Sequence, residues 1–217
     1  MKKIIFTVLA SGLIFCACKR DKNNNPTPNN DTTTKVVPIP IVEIRFIKLY
    51  NQALDTAKQN GYNFYSISSQ NSFNSKNGPI EIAFVHNQPA NNSTKHLIGS
   101  ATSAIVRSEH GVPNTNKTNI EFYKINNGSN TLIYDTISLS SSIETIFATK
   151  ATKSDINGES NAIQSDGYGW DKDDILGFKL SNGKRGLILL TSKPTGSKDE
   201  NSNIILGNIQ FDIKMEK

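Results

Sequence analysis

The sequence predicts a mainly β protein, an antiparallel β-sandwich with one short helix. Three observations point there. From Val36 onward apolar residues recur with period two, the spacing of half-buried strands. Asn127-Gly128 and Asn182-Gly183 separate such runs, and Asn-Gly tolerates the positive φ that tight hairpin turns need. Only one segment, beginning at Ser141, carries a clear helix-start signal.

In chain order, Val42, Ile44 and Phe46 alternate with Glu43 and Arg45, and then Ile47 and Leu49 take over the apolar phase. That change of face predicts a β-bulge or a strand crossing between two sheets. Asn51 to Gln59 suits a polar surface helix and a long hairpin loop equally. Within Ile80 to His86, Ile80, Ile82 and Phe84 share one face. Ile120–Ile125 and Leu132–Ile137 read as a hairpin about Asn127-Gly128, and Ile175–Leu180 and Gly186–Thr191 as another about Asn182-Gly183. Ser141 and Glu144 form a capping box, with Ile143, Ile146 and Phe147 on one side of a short helix that closes an end of the sandwich. Leu187-Ile188-Leu189-Leu190 is apolar on both faces and so reads as a central strand. From Asn208 to Met215, Ile209, Phe211, Ile213 and Met215 point one way and Asn208, Gln210, Asp212 and Lys214 the other, a half-buried strand closing the domain. No convincing internal repeat is present.

The N-terminus gives an address. Lys2 and Lys3 precede an apolar run from Ile4 to Ala17, and Ala17 places a small residue before Cys18. This is the order of a secretory signal. As a helix the run would rise only ~21 Å, too short for a hydrocarbon core of ~30 Å. A cysteine at the cut resembles the lipobox of bacterial lipoproteins, which implies that Cys18 is acylated and becomes the first mature residue. Bulky Phe15 before Cys16 does not fit that pattern. The expected organisation is a cleaved signal peptide over 1–17, a disordered tether over 18–35 and a β-sandwich-like domain over 36–217. Residues 19–34 contain no large apolar side chain to offset the entropy of ordering. One acyl chain anchors only marginally, and several hold a protein durably.

Composition narrows the function classes. With the leader removed, 22 basic residues face 19 acidic ones, so the charge is nearly balanced. No basic run with interleaved aromatics suggests a nucleic-acid partner. The folded part holds no cysteine, which excludes a disulfide, a thiolate metal site and a cysteine nucleophile.

Ile47-Lys48-Leu49-Tyr50-Asn51-Gln52, Gly61 to Ser66 and Ile80 to Phe84, in that order, resemble a pattern in functionally uncharacterised β-rich lipoproteins of Gram-negative bacteria. Asp174 to Lys179, Gly186 to Ile188 and Gly207 to Lys214 are similar to their C-terminal half. The shared motifs are strand-pairing signatures and carry no chemistry. The resemblance implies an outer-membrane, lipid-anchored protein, with cell surface and periplasmic face both open, and a binding role by association with glycan uptake. Lys19-Arg20-Asp21 lacks the acidic run of surface-export signals in similar lipoproteins.

Catalytic signatures are sparse. There is no Gly-x-Ser-x-Gly elbow, no His-Glu-x-x-His and no phosphate-binding glycine loop. His86, His96 and His110 form no i, i+2 or i, i+4 pair and read as ordinary strand-end or loop histidines. Glycosidases need two carboxylates about 5 Å or ~6.5–9.5 Å apart across one cleft. Asp173 and Asp174 would face opposite ways on a strand, and Asp171 and Asp173 lack an apolar pocket to raise either pKa. The chain is therefore expected not to be an enzyme.

Two loops carry candidate binding residues. Asp155, Asn157 and Glu159 place oxygen ligands at alternate positions with Asp166 twelfth, the spacing of a calcium loop, although Ser160 stands where the sharp turn wants glycine. Calcium is the one cofactor the sequence suggests; a plain polar connection is the competing reading. In the second loop Tyr168 and Trp170 sit among glycines with Asp171 and Asp173. Flat aromatics beside carboxylates suit a sugar, whereas a Trp covering a core edge would have no such role. The leading expectation is a lipid-anchored, non-enzymatic binding module for extracellular carbohydrate. The alternative is a structural or protein-interaction subunit of the outer-membrane envelope that meets its partner along a sheet edge.

Overall fold

A computed structural model describes residues 37–51, 61–87, 95–126, 134–165, 170–195 and 207–217. The leader, Cys18, the tether, most of the ambiguous 51–59 segment, and the Asn127-Gly128 turn lie outside the described residues. Residues from Val37 to Lys217 form one unit. It is built from two antiparallel sheets, as the alternating pattern predicts. One runs in the order β1 (Ile41–Tyr50), β11 (Asn208–Glu216), β10 (Arg185–Leu190), β9 (Ile175–Leu180), β6 (Ile120–Ile125) and β7 (Ala151–Lys153). The other runs β3 (Asn71–Phe73), β2 (Phe64–Ser66), β4 (Ile82–Asn87), β5 (Lys95–Gly99) and β8 (Ala162–Gln164).

The sheets share one apolar core. Phe211, Ile213, Ile188, Phe178 and Phe122 of the larger sheet are buried with Tyr65, Phe84, Ile98 and Ile163 of the smaller one. Each sheet is also covered on its outer face by a helix, so the layers run helix, sheet, sheet, helix. On the smaller sheet, Val106 of α1 (Ala104–His110) is buried with Ala83, Leu97 and Ala162. Sequence reasoning missed this seven-residue helix, which begins after Ser103 and ends at left-handed Gly111. On the larger sheet, Ile143 and Ile146 of α2 (Ser140–Lys150) are buried with Ile125, Ile175 and Leu187.

The predicted helix therefore exists, but it covers a sheet face and does not close an end of the sandwich. Its N-cap is Leu139, two residues before the Ser141 of the capping box, and it has no side-chain cap. A strand glycine lies beneath each helix: a Cβ on Gly99 would come within 2.9 Å of Val106, and one on Gly177 within 3.1 Å of the Phe147 ring. Among the described residues no helix is long and apolar enough to cross a membrane.

Other strand expectations divide. The Asn182-Gly183 hairpin forms, with Gly183 at φ +89 and the Leu180 N–H donating to the Lys184 carbonyl at 2.8 Å. Leu187 to Leu190 is covered on both faces: Ile188 and Leu190 enter the inter-sheet core and Leu187 the α2 side. Residues 134–137 do not pair with β6, because β9 and β7 occupy its two edges. Tyr134–Thr136 instead forms a 3-10 turn. Ile80 does not share the face of Ile82 and Phe84. It precedes β4, its N–H turned onto the Gly78 carbonyl at 2.9 Å, and its side chain joins the α1 side.

β11 is not a half-buried closing strand. It lies between β1 and β10, and on its polar face Asp212 and Lys214 are buried while Asn208 and Gln210 are half-buried. The Lys214 ammonium donates to the carbonyls of Tyr134 at 2.9 Å, Asp135 at 3.4 Å and Ile137 at 3.0 Å, and lies 4.7 Å from the Tyr134 ring centre. It thereby caps the carbonyls in and just after the 3-10 turn, of which the Tyr134 oxygen also accepts the Ile137 N–H at 3.1 Å.

The neighbouring polar residue, Asp212, explains β1. Register against β11 shifts between Ile44, opposite Ile213, and Ile47, opposite Phe211. Arg45 and Phe46 thus face the single residue Asp212, which is a β-bulge. The buried Asp212 carboxylate accepts the Phe46 N–H at 2.8 Å. Phe46 takes φ +63 and leaves the face of Val42 and Ile44, its side chain 89% exposed.

Candidate functional site

The two loops singled out by sequence behave differently from expectation. After Asp155, the chain makes a tight turn: Ile156 and Glu159 exchange backbone hydrogen bonds of 2.8 and 3.1 Å around Asn157 (φ +57) and Gly158 (φ +84). Two consecutive positive φ values make this a type I′ hairpin turn, for which Asn-Gly is the favoured pair. The Asp155 carboxylate accepts the Gly158 N–H at 2.8 Å, and Glu159 accepts from the Asn161 amide at 3.0 Å. β8 then begins at Ala162. The first part of the expected ion loop is thus a tight hairpin, in which the Asp155 and Glu159 carboxylates are engaged with the turn itself. Asp166 lies outside the described residues. Among the described residues no group of three or more His, Cys, Asp or Glu side chains is placed to hold a metal ion.

In the second loop, Tyr168 lies outside the described residues. Trp170 is only 6% exposed and belongs to the inter-sheet core. Its ring centre lies 6.3 Å from that of His96, and its backbone N–H donates to His96 Nδ1 at 3.4 Å. Asp171 and Asp173 are exposed in the turn that follows, where Asp171 pairs with Lys193 at 2.8 Å and Asp173 takes φ +72. Trp170 points into the protein while the two aspartates face solvent. The expected aromatic–carboxylate platform is not assembled from these residues.

His86 and His96 lie near the ends of β4 and β5, as read from sequence, whereas His110 ends helix α1; all three are buried. His86 and His96 are directly opposite across β4 and β5, with ring centres 5.4 Å apart. Burial pushes the His96 imidazole down to about 4, helped by His86 and Lys193 nearby. The neutral ring keeps Nδ1 as an acceptor for Trp170. His110 is likewise pushed down to about 4 by burial, against the opposing effect of its contact with the Phe84 carbonyl at 2.9 Å. The register of β4 against β5 places 86 opposite 96, so the pairing was legible only with that register in hand.

The Asp155 hairpin instead walls a cleft of about 440 Å³. It opens where the smaller sheet's edge strand, β8, approaches β6 of the larger sheet, and the Phe122 N–H donates to the Ser160 carbonyl at 2.8 Å there. Lys95, Lys124, Ser154, Asp155, Asn157 and Gln164 line it. Among the described residues, two ammonium groups and one carboxylate give this lining a net positive charge. Hydroxyl, amide and carboxylate groups supply both donors and acceptors. Among the described residues Asp155 is the one carboxylate in the lining, so they do not supply the paired carboxylates of glycoside hydrolysis there. Of these residues only Asp155 and Asn157 drew notice from sequence, and for a different chemistry. The others come from β5, β6, β8 and the β7–β8 connection, and only the sheet pairing gathers them.

Comparison with protein-family models, curated proteins and solved structures gave no match to this chain. The class that the coordinates define is an antiparallel β-sandwich with a helix on each outer face and a polar cleft at the β6/β8 junction.

Proposed function

We propose that this chain is a lipid-anchored protein of the outer-membrane envelope that binds extracellular carbohydrate without catalysing a reaction. The anchor is Cys18, acylated after removal of residues 1–17. The binding site is the cleft beside Lys95 and Lys124, not the Trp170 loop. The observation that carries this reading is the cleft lining: closely spaced hydroxyl, amide and charged groups match the hydroxyl-rich edge of a sugar. The two lysines favour a glycan that bears carboxylate or sulfate groups.

Affinity electrophoresis through gels containing neutral or acidic polysaccharides tests it. An acidic polysaccharide is expected to retard the wild-type protein, and the Lys95→Ser/Lys124→Ser variant is expected to run as it does in a plain gel. Equal migration of the wild type in every gel, or equal retardation of the two proteins, overturns the assignment. Mass spectrometry of the mature N-terminus in native membranes tests the anchor. Protease accessibility on intact cells then separates surface display from the periplasmic face.

A further inference from the structure

The β1 bulge presents a large apolar side chain to solvent on a strained backbone. Phe46 sits in the left-handed region, which a bulky L-residue adopts only against steric resistance. Asp212, buried beneath it, fixes that conformation through the Phe46 N–H. The ring is therefore held outward by the fold, with exposed Arg45 beside it and exposed Lys48 two residues on.

β1 is an edge strand of its sheet, and an open edge ordinarily invites a strand from another chain. Here the edge is blunted. The bulge interrupts the ladder, Pro40 is bridged to Leu139 at one end, and the Tyr50 N–H is taken by the Tyr62 carbonyl at the other. Exposed Glu43, Arg45 and Lys48 add charge between those ends, with Glu43 paired to Arg45 at 2.7 Å. What remains is one ring flanked by two cations, one of them partnered by Glu43, which suits a surface that draws a net positive charge while asking for no backbone hydrogen bonds. An anionic lipid headgroup layer has that chemistry, since rings settle at the headgroup–acyl boundary and cations are drawn to lipid phosphate.

We propose that Phe46 is a lipid-contacting wedge through which the folded body rests on an anionic membrane, with Arg45 and Lys48 at the phosphate level. The inference draws on the anchor reading for proximity. Even fully extended, the chain from Cys18 to Val37 spans at most about 65 Å, and β1 starts four residues further on. A contact too weak to hold a free protein becomes effective at that local concentration.

The experiment separates the wedge from the anchor by supplying the anchor chemically. The chain from Cys18 onward is coupled through that thiol, the only one it contains, to maleimide-bearing lipid in vesicles of phosphatidylethanolamine and phosphatidylglycerol doped with brominated acyl chains. Phe46→Trp adds an indole to a background from buried Trp170, which the unsubstituted chain measures. Asn182→Trp, in the exposed β9–β10 turn, serves as the control. Bromolipid quenching of the Phe46→Trp indole is expected to exceed the control at least twofold, and to fall towards it when Arg45→Ser and Lys48→Ser are added. Quenching equal to the control overturns the wedge, as does a dimer in solution that Phe46→Ser abolishes, because either result places something other than lipid, or nothing, on this ring. Neither outcome depends on whether Cys18 is acylated in the native host.

Discussion

Two aromatic residues mark opposite solutions to one problem, how a backbone N–H is satisfied where a strand becomes irregular. At the β1 bulge, Phe46 donates to the buried carboxylate of Asp212; in the loop before β9, Trp170 donates to the buried imidazole of His96. Both acceptors are core side chains on neighbouring strands, so both N–H groups escape the penalty of burial without a partner. The side chains part company. Left-handed φ turns the Phe46 ring out to 89% exposure, while Trp170 is laid against His96 at 6%. A polar anchor therefore fixes where the backbone goes, and the local dihedral decides whether the ring serves the core or the surface.

The contrast is broken most forcefully at its buried end. Trp170→Ala should remove about 3–5 kcal/mol of stability, the usual loss when a large core aromatic is truncated. Urea unfolding should show the midpoint falling sharply, and a midpoint within experimental error of the wild type would place the indole outside the core. Any loss of ligand binding in this variant would report unfolding, which makes Trp170 a poor probe of the cleft.

Acid sharpens the same end. His96 and His110 titrate near 4 when folded and near 6.5 when unfolded, so between these values the unfolded chain binds more protons. Their contribution to stability is thus fully present above about pH 6.5 and lost as pH falls towards 4, up to roughly 3 kcal/mol for each ring. Unfolding free energies at pH 7 and 4.5 should differ in that direction, and the folded-state imidazole resonances should still report neutral rings at pH 5. Imidazoles that titrate near 6.5 in the native protein would remove the effect.

The same pair of regions shows what sequence discloses. The β1 bulge was legible because the apolar phase flips between Ile44 and Ile47, a signal carried by neighbouring residues. The exposure of Phe46 was not, since it depends on Asp212, which stands 166 residues away. β11 read correctly in period and wrongly in place: Asp212 and Lys214 look like a solvent face, yet both are buried with partners from β1 and the 3-10 turn. Alternation reports two faces and does not say what covers the polar one. Within the calcium spacing, Asn157-Gly158 is also the strongest hairpin signal of that stretch, and a tight turn forms there. The cleft was hidden because its lining comes from separate strands, none with a motif of its own.

The smallest expected effect lies at the exposed end and has the opposite sign. Replacing Phe46 removes no core contact, whereas its left-handed backbone costs about 1–2 kcal/mol for a residue bearing a Cβ. Phe46→Gly relieves that strain but adds freedom to the unfolded chain, so a net gain of up to about 1 kcal/mol is expected. Phe46→Ala keeps the Cβ, and with it the strain, and should leave stability within about 0.5 kcal/mol of the wild type. Chemical unfolding of the two variants side by side separates the causes. A gain for glycine alone locates the cost in the backbone, as the bulge geometry requires; a loss in both would mean that the ring has packing partners in the folded protein.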